Sequence, residues 1–148
     1  MKQTSTEPSL VIDKHSFSRP LVEQSGELVI NIPCRAQLDQ LYAAGCLSGR
    51  EHDKFAELGI DTLPASRVTA PLIAGCVAWL ECRILAEPHI QQAYDLFVAE
   101  VVAAWADPAV FDGRHWHFDQ PQQRTVHHVA GGAFFATGEA LQAQRVSE

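Results

Sequence analysis

Two short polar segments combine residue types that suit an anionic ligand. The first places cations and hydroxyls just before a predicted helix, at Lys14, His15, Ser16, Ser18 and Arg19. A phosphate dianion accepts charge-assisted hydrogen bonds from such side chains, and the positive end of a helix favours it. The alternative is a solvated loop in which Ser18 caps the helix. The residue types by themselves leave both interpretations open.

The second polar segment, Ser48-Gly49-Arg50-Glu51, has the form of a capping box, with Ser at the cap and Glu three residues later. It predicts a short helix that carries Phe55 and Leu58 on one face and ends at Gly59. Backbone N–H groups at such a helix start are suited to the phosphate of a bound nucleotide. Plain helix capping is the alternative.

Lys54 and a pair of adjacent histidines are further candidates. Lys54 either pairs with Asp53 on the helix surface, which is worth at most about 1 kcal/mol, or reaches a ligand. His127 and His128 lie in a predicted strand, so their side chains point to opposite faces. We expect one to face the protein or an interface and the other to face solvent. A structural histidine with satisfied hydrogen bonds is the alternative.

No metal site is predicted. His115 and His117 would share one face of a strand, near a turn at Asp112-Gly113, but only Asp112 and Asp119 lie close in sequence with a suitable side chain. That set lacks the ligand spacing of known zinc sites. The chain also lacks the phosphate-loop and nucleophile-elbow signatures G-x-x-x-x-G-K and G-x-S-x-G.

Composition excludes several classes of protein. The chain has 148 residues, 47% of them hydrophobic and 20% charged, which fits one globular domain. A net charge of -7 and the absence of a basic stripe argue against a nucleic-acid partner. The apolar stretches are too short to span a membrane, and residues 1–7 do not resemble a secretory signal. We therefore predict a cytoplasmic protein.

The four cysteines form no C-x-x-C pair and suit a reducing compartment. Cys76 and Cys82 sit in apolar runs and are predicted to be buried core thiols. Cys34 and Cys46 flank a predicted helix, and the sequence leaves a redox role for them open.

Secondary-structure patterns predict a mainly β protein with helices gathered in one insertion. Residues 1–8 are predicted to be a disordered lead-in, residues 9–140 the domain, and residues 141–148 a tail. Strands are expected at 9–12, 27–32, 77–85, 94–105 and 125–129; helices are expected at 21–25, 33–45 and after 48, with a final helix or tail over 138–146. In 77–85, Trp79, Glu81 and Arg83 alternate with apolar residues, which indicates a strand with one buried face.

Five motifs in a fixed order resemble those of flavin reductase-like proteins. They are Glu27-Leu-Val-Ile-Asn-Ile-Pro33; Ser48-Gly49-Arg50 with Asp53-Lys54-Phe55; Ala70-Pro71 with Trp79-Leu80-Glu81-Cys82; Tyr94-Asp95-Leu96-Phe97-Val98 with Glu100-Val101-Val102; and His128 with Gly131-Gly132 and Phe134. On these motifs the chain is identified as a member of the flavin reductase-like, flavoredoxin-type FMN-binding family, over residues 9–140.

The resemblance implies a Greek-key split β-barrel with a helical insertion, forming a homodimer that holds FMN, or FAD, near the subunit interface. It also implies hydride transfer from NADH or NADPH to the flavin, which then serves an oxygenase or another electron acceptor. The flavin-binding residues implied are Lys14, His15, Ser16, Ser18, Arg19, Ser48, Gly49, Arg50 and Lys54. His128 is the implied catalytic residue, near the nicotinamide or flavin.

The family pattern has further strands before the one predicted at residues 9–12, with a loop of Thr, Ser and Asn residues that helps to hold FMN. This chain has residues 1–8 in their place, so the domain is expected to be N-terminally shortened or completed by another subunit. The alternative function is a non-catalytic, dimer-forming relative, or an interaction subunit, with weak or no flavin binding.

Overall fold

Four antiparallel strands form the main sheet of the computed structural model, which describes residues 6–144. In chain order they are β1 (Ser9–Val11), β2 (Glu27–Ile32), β5 (Ala78–Ile84) and β6 (Leu96–Ala106), and they lie side by side as β1-β6-β5-β2. Two hairpins accompany them, β3 (Thr62–Leu63) with β4 (Leu72–Ile73) and β7 (Val126–Ala130) with β8 (Ala133–Ala136). The predicted mainly β fold is confirmed.

Residues 6–144 also form four α-helices, and glycine or proline marks several of their ends. They are α1 (Ser18–Ser25), α2 (Leu38–Cys46), α3 (Lys54–Glu57) and α4 (Pro88–Tyr94). Pro20 lies in the first turn of α1, where a missing N–H costs nothing. Gly26 ends that helix at a φ of 66°, a left-handed conformation that glycine adopts readily.

Several predicted boundaries were wrong. The first helix begins at Ser18 rather than residue 21, and the helix predicted from 33 starts as a 3-10 turn at Arg35–Gln37. Helix α4 was not predicted; the strand expected from 94 therefore begins at Leu96. Residues 137–144 form no regular element, and the rest of the predicted final helix or tail lies outside the described residues.

The capping box expected at Ser48 was also wrong. Ser48 and Glu51 form a turn, because the backbone N–H of Glu51 donates to the carbonyl of Ser48 at 3.1 Å. Helix α3 begins at Lys54, six residues after Ser48, and Asp53 caps it by accepting from the N–H groups of Phe55 and Ala56. Aspartate is a favoured N-cap residue, so α3 begins after Asp53 and the Ser48–Glu51 turn is not part of the helix.

One face of the sheet is apolar. Leu28 lies opposite Cys82, and Ile30 lies opposite Leu80, across the β2–β5 ladder. Phe97 on β6 is one of the largest fully buried side chains. A small second cluster, in which Cys34, Val77 and Val110 pack together, joins the end of β2 to the segment after β6. No helix within residues 6–144 is both long and apolar enough to cross a membrane.

The opposite face carries polar side chains that hold the segment 64–74. Glu81 is 0% exposed, so both faces of β5 are covered at this position, which the predicted alternation did not show. Its carboxylate accepts hydrogen bonds from the N–H and hydroxyl of Ser66, the N–H of Arg67 and the indole N–H of Trp105. These hydrogen bonds replace the hydration that the carboxylate loses on burial.

Two further side chains on β2 extend this arrangement. The Glu27 carboxylate accepts from the N–H and the hydroxyl of Thr69, at 2.9 and 3.0 Å. The Asn31 side-chain oxygen accepts from the N–H of Ile73 at 2.8 Å. The sheet therefore fixes the segment 64–74 through side-chain acceptors that meet its backbone N–H groups.

Acid should release this segment. Burial alone raises the pKa of Glu81, but the hydrogen bonds from Ser66, Trp105 and Arg67 outweigh it and lower the pKa from 4.5 to about 2. A carboxylate whose pKa is lower in the folded state contributes stability that is present above its unfolded pKa. That contribution is lost as the pH falls from 4.5 towards 2.

We expect Glu81→Gln to lower the free energy of unfolding by about 2 kcal/mol at neutral pH, because charge-assisted hydrogen bonds are lost. In the variant, the free energy of unfolding should also depend less on pH between 4.5 and 2. Urea unfolding at several pH values measures both effects. Glu100→Gln, at an exposed position on β6, is the matched control. Equal pH dependence in the wild type and Glu81→Gln would contradict the assignment.

Candidate functional site

A cleft of about 540 Å³ brings the two polar segments together. One wall is the turn before α1 and its first residues, and the other is the loop after α2 together with α3. The lining residues are Ser16, Phe17, Ser18, Leu21, Leu47, Ser48, Gly49, His52, Asp53, Lys54 and Phe55. The Arg50 guanidinium joins the two walls by donating to the carbonyl of His15 at 3.0 Å. The volume lies in the range of small-molecule sites.

The first wall offers unsatisfied donors. The Ser16 hydroxyl is buried and has no hydrogen-bond partner within the described chain. Helix α1 begins at Ser18 without a side-chain cap and without an acidic residue in its first turn. Its first N–H groups have no acceptor inside the helix. This wall is therefore suited to an anion with several acceptor oxygens, and Ser18 does not cap the helix as the alternative interpretation required.

The second wall is ordered by contacts inside the loop and with α2. The Ser48 hydroxyl accepts from the N–H of Arg50 at 3.3 Å. The Lys54 ammonium donates to the carbonyl of Ala44 at 2.6 Å, near the end of α2, rather than pairing with Asp53. His52 pairs with Glu57 at 2.8 Å. The second wall thus contributes the Lys54 ammonium and the Ser48 hydroxyl to the lining of the cleft.

The two walls touch directly where Phe17 covers Gly49. A Cβ atom built on Gly49 would lie 2.6 Å from the Phe17 ring, a distance at which one of them must move. Residue 49 is thus a glycine because the ring needs that space. Phe17 was not among the predicted site residues, although it lies between Ser16 and Ser18; its importance depends on a neighbour that is distant in sequence.

A groove of about 490 Å³ adjoins the cleft along the outer edge of β2. Ser18, Leu21 and Phe55 line both spaces. Apolar side chains dominate the groove walls, among them Val29 and Pro71. The cleft therefore has a polar end and an apolar extension.

Arg19 lies outside the cleft. Its side chain is buried, and it donates to Glu23, to Asp95 at 2.9 Å and to the carbonyls of Ile12 and Gln91. The guanidinium also lies 4.7 Å from the centre of the Phe97 ring. Four of its five N–H donors are thereby satisfied by the protein. The sequence placed Arg19 with the phosphate ligands because its distant partners could not be seen.

Lys14 and His15 are exposed in the turn before α1. Asp13 shapes this turn, because its carboxylate accepts from the N–H of His15 at 2.6 Å and its carbonyl accepts from the N–H of Ser16 at 2.9 Å. The Lys14 and His15 side chains therefore project from a defined turn next to Ser16.

His128 lies in a different cleft of about 480 Å³, formed between α2 and the β7–β8 hairpin. Its ring is 4.9 Å from that of Phe134, and its Nε2 is 2.9 Å from the carbonyl of Gly131. Within one chain, the structure does not bring His128 together with the other predicted site residues. His127 and His128 are both exposed within one chain, so neither is buried in it, and an interface position for one of them stays a prediction.

The cysteines lie in different environments and form no pair with each other among the described residues. Cys34 is buried at the start of the segment 35–46 and Cys46 is exposed at its end. The nine residues of α2 span about 13 Å, too far for a disulfide between them. Burial raises the pKa of Cys76 to about 11, as fits a core thiol.

His117 pairs with Asp112 at 2.9 Å, and His115 lies 4.0 Å from the same carboxylate. Hydrogen bonds from the N–H groups of His115 and Arg114 lower the pKa of Asp112. Among residues 6–144, no three His, Cys, Asp or Glu side chains are grouped so that they could hold a metal ion.

Comparisons with known proteins agree on the fold. Residues 2–125 match the family described as flavin reductase like domain. An Escherichia coli (strain K12) relative, the uncharacterised protein YddH, is 38% identical over 136 residues, which are 91% of this chain and 72% of YddH. The crystal structure of an FMN-binding domain of a flavin reductases-like enzyme from Shewanella baltica OS155 has a TM-score of 0.89 and 40% identity, covering 93% of this chain and 74% of that one.

A more distant structure, the flavoredoxin of Desulfovibrio vulgaris (Miyazaki F), has a TM-score of 0.79 at 22% identity, covering 93% of this chain and 73% of its own. At this identity the likeness concerns the fold alone. Together these matches confirm the split-barrel fold and the resemblance inferred from the sequence motifs.

The contact between Phe17 and Gly49 can be tested by a double-mutant cycle. We expect Gly49→Ala to lower the free energy of unfolding by about 1 kcal/mol, because the added methyl group displaces the Phe17 ring. In a Phe17→Ala background the same change should be neutral or slightly stabilising. Thermal or urea unfolding of the four proteins measures the coupling. Equal effects in both backgrounds would show that the two residues do not touch in solution.

Proposed function

The chain belongs to the flavin reductase-like domain family, and on that premise we propose that it binds FMN in the cleft between residues 16–21 and 47–55. The observation that carries the proposal is the convergence of two distant segments with hydroxyl, backbone N–H and cationic donors on one cleft. Proteins of known structure with this fold include an FMN-binding domain that is 40% identical.

The donor set fits a flavin mononucleotide. The uncapped start of α1 and the unpartnered hydroxyl of Ser16 would take the phosphate, with Lys14 and His15 beside it. The turn at Ser48-Gly49 and the Lys54 ammonium would face the polar edge of the ring system. The apolar groove next to Leu21 and Phe55 would shield the remaining ring surface from water. The proposal retains FAD as an alternative cofactor.

The proposed activity is hydride transfer from NADH or NADPH to the flavin. A bound flavin supplies that chemistry, and the protein supplies binding, orientation and electrostatics. The residues described above would orient the ring and exclude water, and Lys54 would stabilise negative charge at the polar edge. Use of a nicotinamide donor rests on the family resemblance.

The same resemblance supports a homodimer, a cytoplasmic location and an oxygenase or other electron acceptor as partner. Exposed apolar side chains on the β7–β8 hairpin support the dimer: Val129 is 54% exposed and Phe135 is 71% exposed. A two-stranded hairpin of this kind is marginally stable in water by itself. A second subunit packed on it would cover these side chains.

Flavin binding is tested by titration with FMN and with riboflavin, which lacks the phosphate. We expect FMN to bind at least about tenfold more tightly, because charge-assisted hydrogen bonds to phosphate contribute roughly 1.5–3 kcal/mol each. Ser16→Ala should weaken FMN binding by about tenfold and leave riboflavin nearly unchanged. Ser9→Ala, at an exposed position on β1, is the control. No binding of either flavin would contradict the proposal and favour the non-catalytic alternative.

Hydride transfer is tested by following the oxidation of NADH or NADPH with FMN present. The family resemblance implies that His128 lies near the nicotinamide or flavin, so we expect His128→Ala to raise the KM for the nicotinamide substrate several-fold. The Kd of FMN should stay unchanged, since within one chain His128 lies in a separate cleft. His127→Ala, at the neighbouring exposed position, is the matched control. An unchanged KM in His128→Ala would remove this residue from the reaction.

A further inference from the structure

The turn that carries the proposed phosphate ligands is anchored at both ends to a single residue, Asp95. At the first end, the N–H of Ile12 donates to the Asp95 carbonyl at 3.0 Å. At the second end, the Arg19 guanidinium donates to the Asp95 carboxylate at 2.9 Å. Residues 13–18 form the loop between these anchors, and Lys14, His15, Ser16 and Ser18 all lie within it.

Asp95 is placed for this role by an unusual backbone conformation. It has a φ of 55°, the left-handed region, and it ends helix α4 immediately before β6. Hydrogen bonds from the Arg19 side chain lower its pKa, as do the nearby Lys14 charge and the Lys14 N–H. The carboxylate is therefore ionised at neutral pH, and it faces the turn from outside the cleft.

Arg19 completes the anchor from the helix side. The same guanidinium nitrogen that donates to Asp95 also donates to the Ile12 carbonyl at 2.8 Å, so it contacts both the strand end and the carboxylate. Another nitrogen donates to the Gln91 carbonyl of α4 at 2.9 Å. Arg19 is 6% exposed, and neither Arg19 nor Asp95 lines the cleft.

We propose that Arg19 and Asp95 are positioning residues for the flavin phosphate: they close the ends of the 13–18 turn and so hold its donors ready for the anion. The proposal rests on the proposed FMN site. Fixing a flexible loop costs conformational entropy. A turn that is ordered before binding does not lose this free energy when the ligand arrives, and its affinity for the ligand is higher.

Charge adds a second reason for the pair. The phosphate would bind the turn whose ends Asp95 anchors, and like charges repel. Arg19 pairs with that carboxylate, and the Lys14 ammonium also lies near enough to affect it. Loss of the Arg19 charge would leave more negative charge beside the anion, whereas Asp95→Asn and Arg19→Lys add none and therefore test the loosening of the turn. A looser turn reduces the affinity for the phosphate rather than for the flavin ring.

The experiment compares FMN with riboflavin in Asp95→Asn and Arg19→Lys. Asparagine tolerates the left-handed backbone conformation, so Asp95→Asn removes the charge and keeps the helix end. We expect each variant to weaken FMN binding by about tenfold and riboflavin binding by less than about twofold. Glu23→Gln is the matched control, because Glu23 is the other ion-pair partner of Arg19 but is half-exposed on α1. It should leave the preference for FMN unchanged.

Hydrogen exchange provides a second measurement that needs no flavin. In Asp95→Asn we expect faster exchange of the Ser16 N–H, which donates to the Asp13 carbonyl inside the turn. Exchange in the β2–β5 ladder should stay at the wild-type rate.

Three outcomes would overturn the proposal. Equal loss of FMN and riboflavin binding would show that the pair only supports the fold, and an unchanged preference for FMN would show that it does not position the turn. A wild-type protein without preference for FMN would refute the phosphate site itself, and the positioning role with it. The wild-type measurement thus separates failure of the proposed function from failure of this inference.

Discussion

The buried carboxylate of Glu81 is the constraint around which the main sheet is arranged. A charge in the middle of a sheet is costly unless donors surround it, and here backbone N–H groups of Ser66 and Arg67 and the indole of Trp105 do so. The donors of Ser66 and Arg67 come from a segment with little regular structure of its own. The sheet therefore orders a long connection through its side chains instead of through a strand ladder, and part of that connection lines the groove beside the cleft.

The cleft depends on the same kind of contact. Its first wall is held by Arg19 and Asp95, and its second wall by Asp53 and Lys54. Polar side chains acting on backbone atoms thus set the distance between two segments that are about thirty residues apart. Apolar packing contributes one contact, Phe17 on Gly49, which needs a residue without a side chain. Because other groups hold the two walls together, the donors at the polar end of the cleft stay available for a ligand.

The split-barrel fold is shared with proteins of very different sequence. The flavoredoxin of Desulfovibrio vulgaris (Miyazaki F) has the same fold at 22% identity. A fold at this distance says little about chemistry, which depends on the groups that line the site. The converging donors of residues 16–18 and 48–54, together with membership of the family, therefore support the proposed binding of flavin.

The sequence by itself determined the local features of this protein. The β-branched run in 27–32 and the alternation in 77–85 predicted two neighbouring strands, because such patterns reflect short-range geometry. The split-barrel fold class was implied by the resemblance of the ordered motifs to a known family. The sequence also selected both segments that line the cleft. It missed α4 and misjudged the Ser48 capping box, since a nearby aspartate, Asp53, caps the helix more effectively.

Only the tertiary structure decided how the charged residues are used. Arg19 and Glu81 carry the same charges in the sequence as any surface residue, yet both are buried with partners that lie up to 76 residues away. Whether a charge serves the fold or a ligand depends on which donors and acceptors meet it in space. Those contacts form between residues that are distant in sequence, and a local sequence pattern does not reveal them.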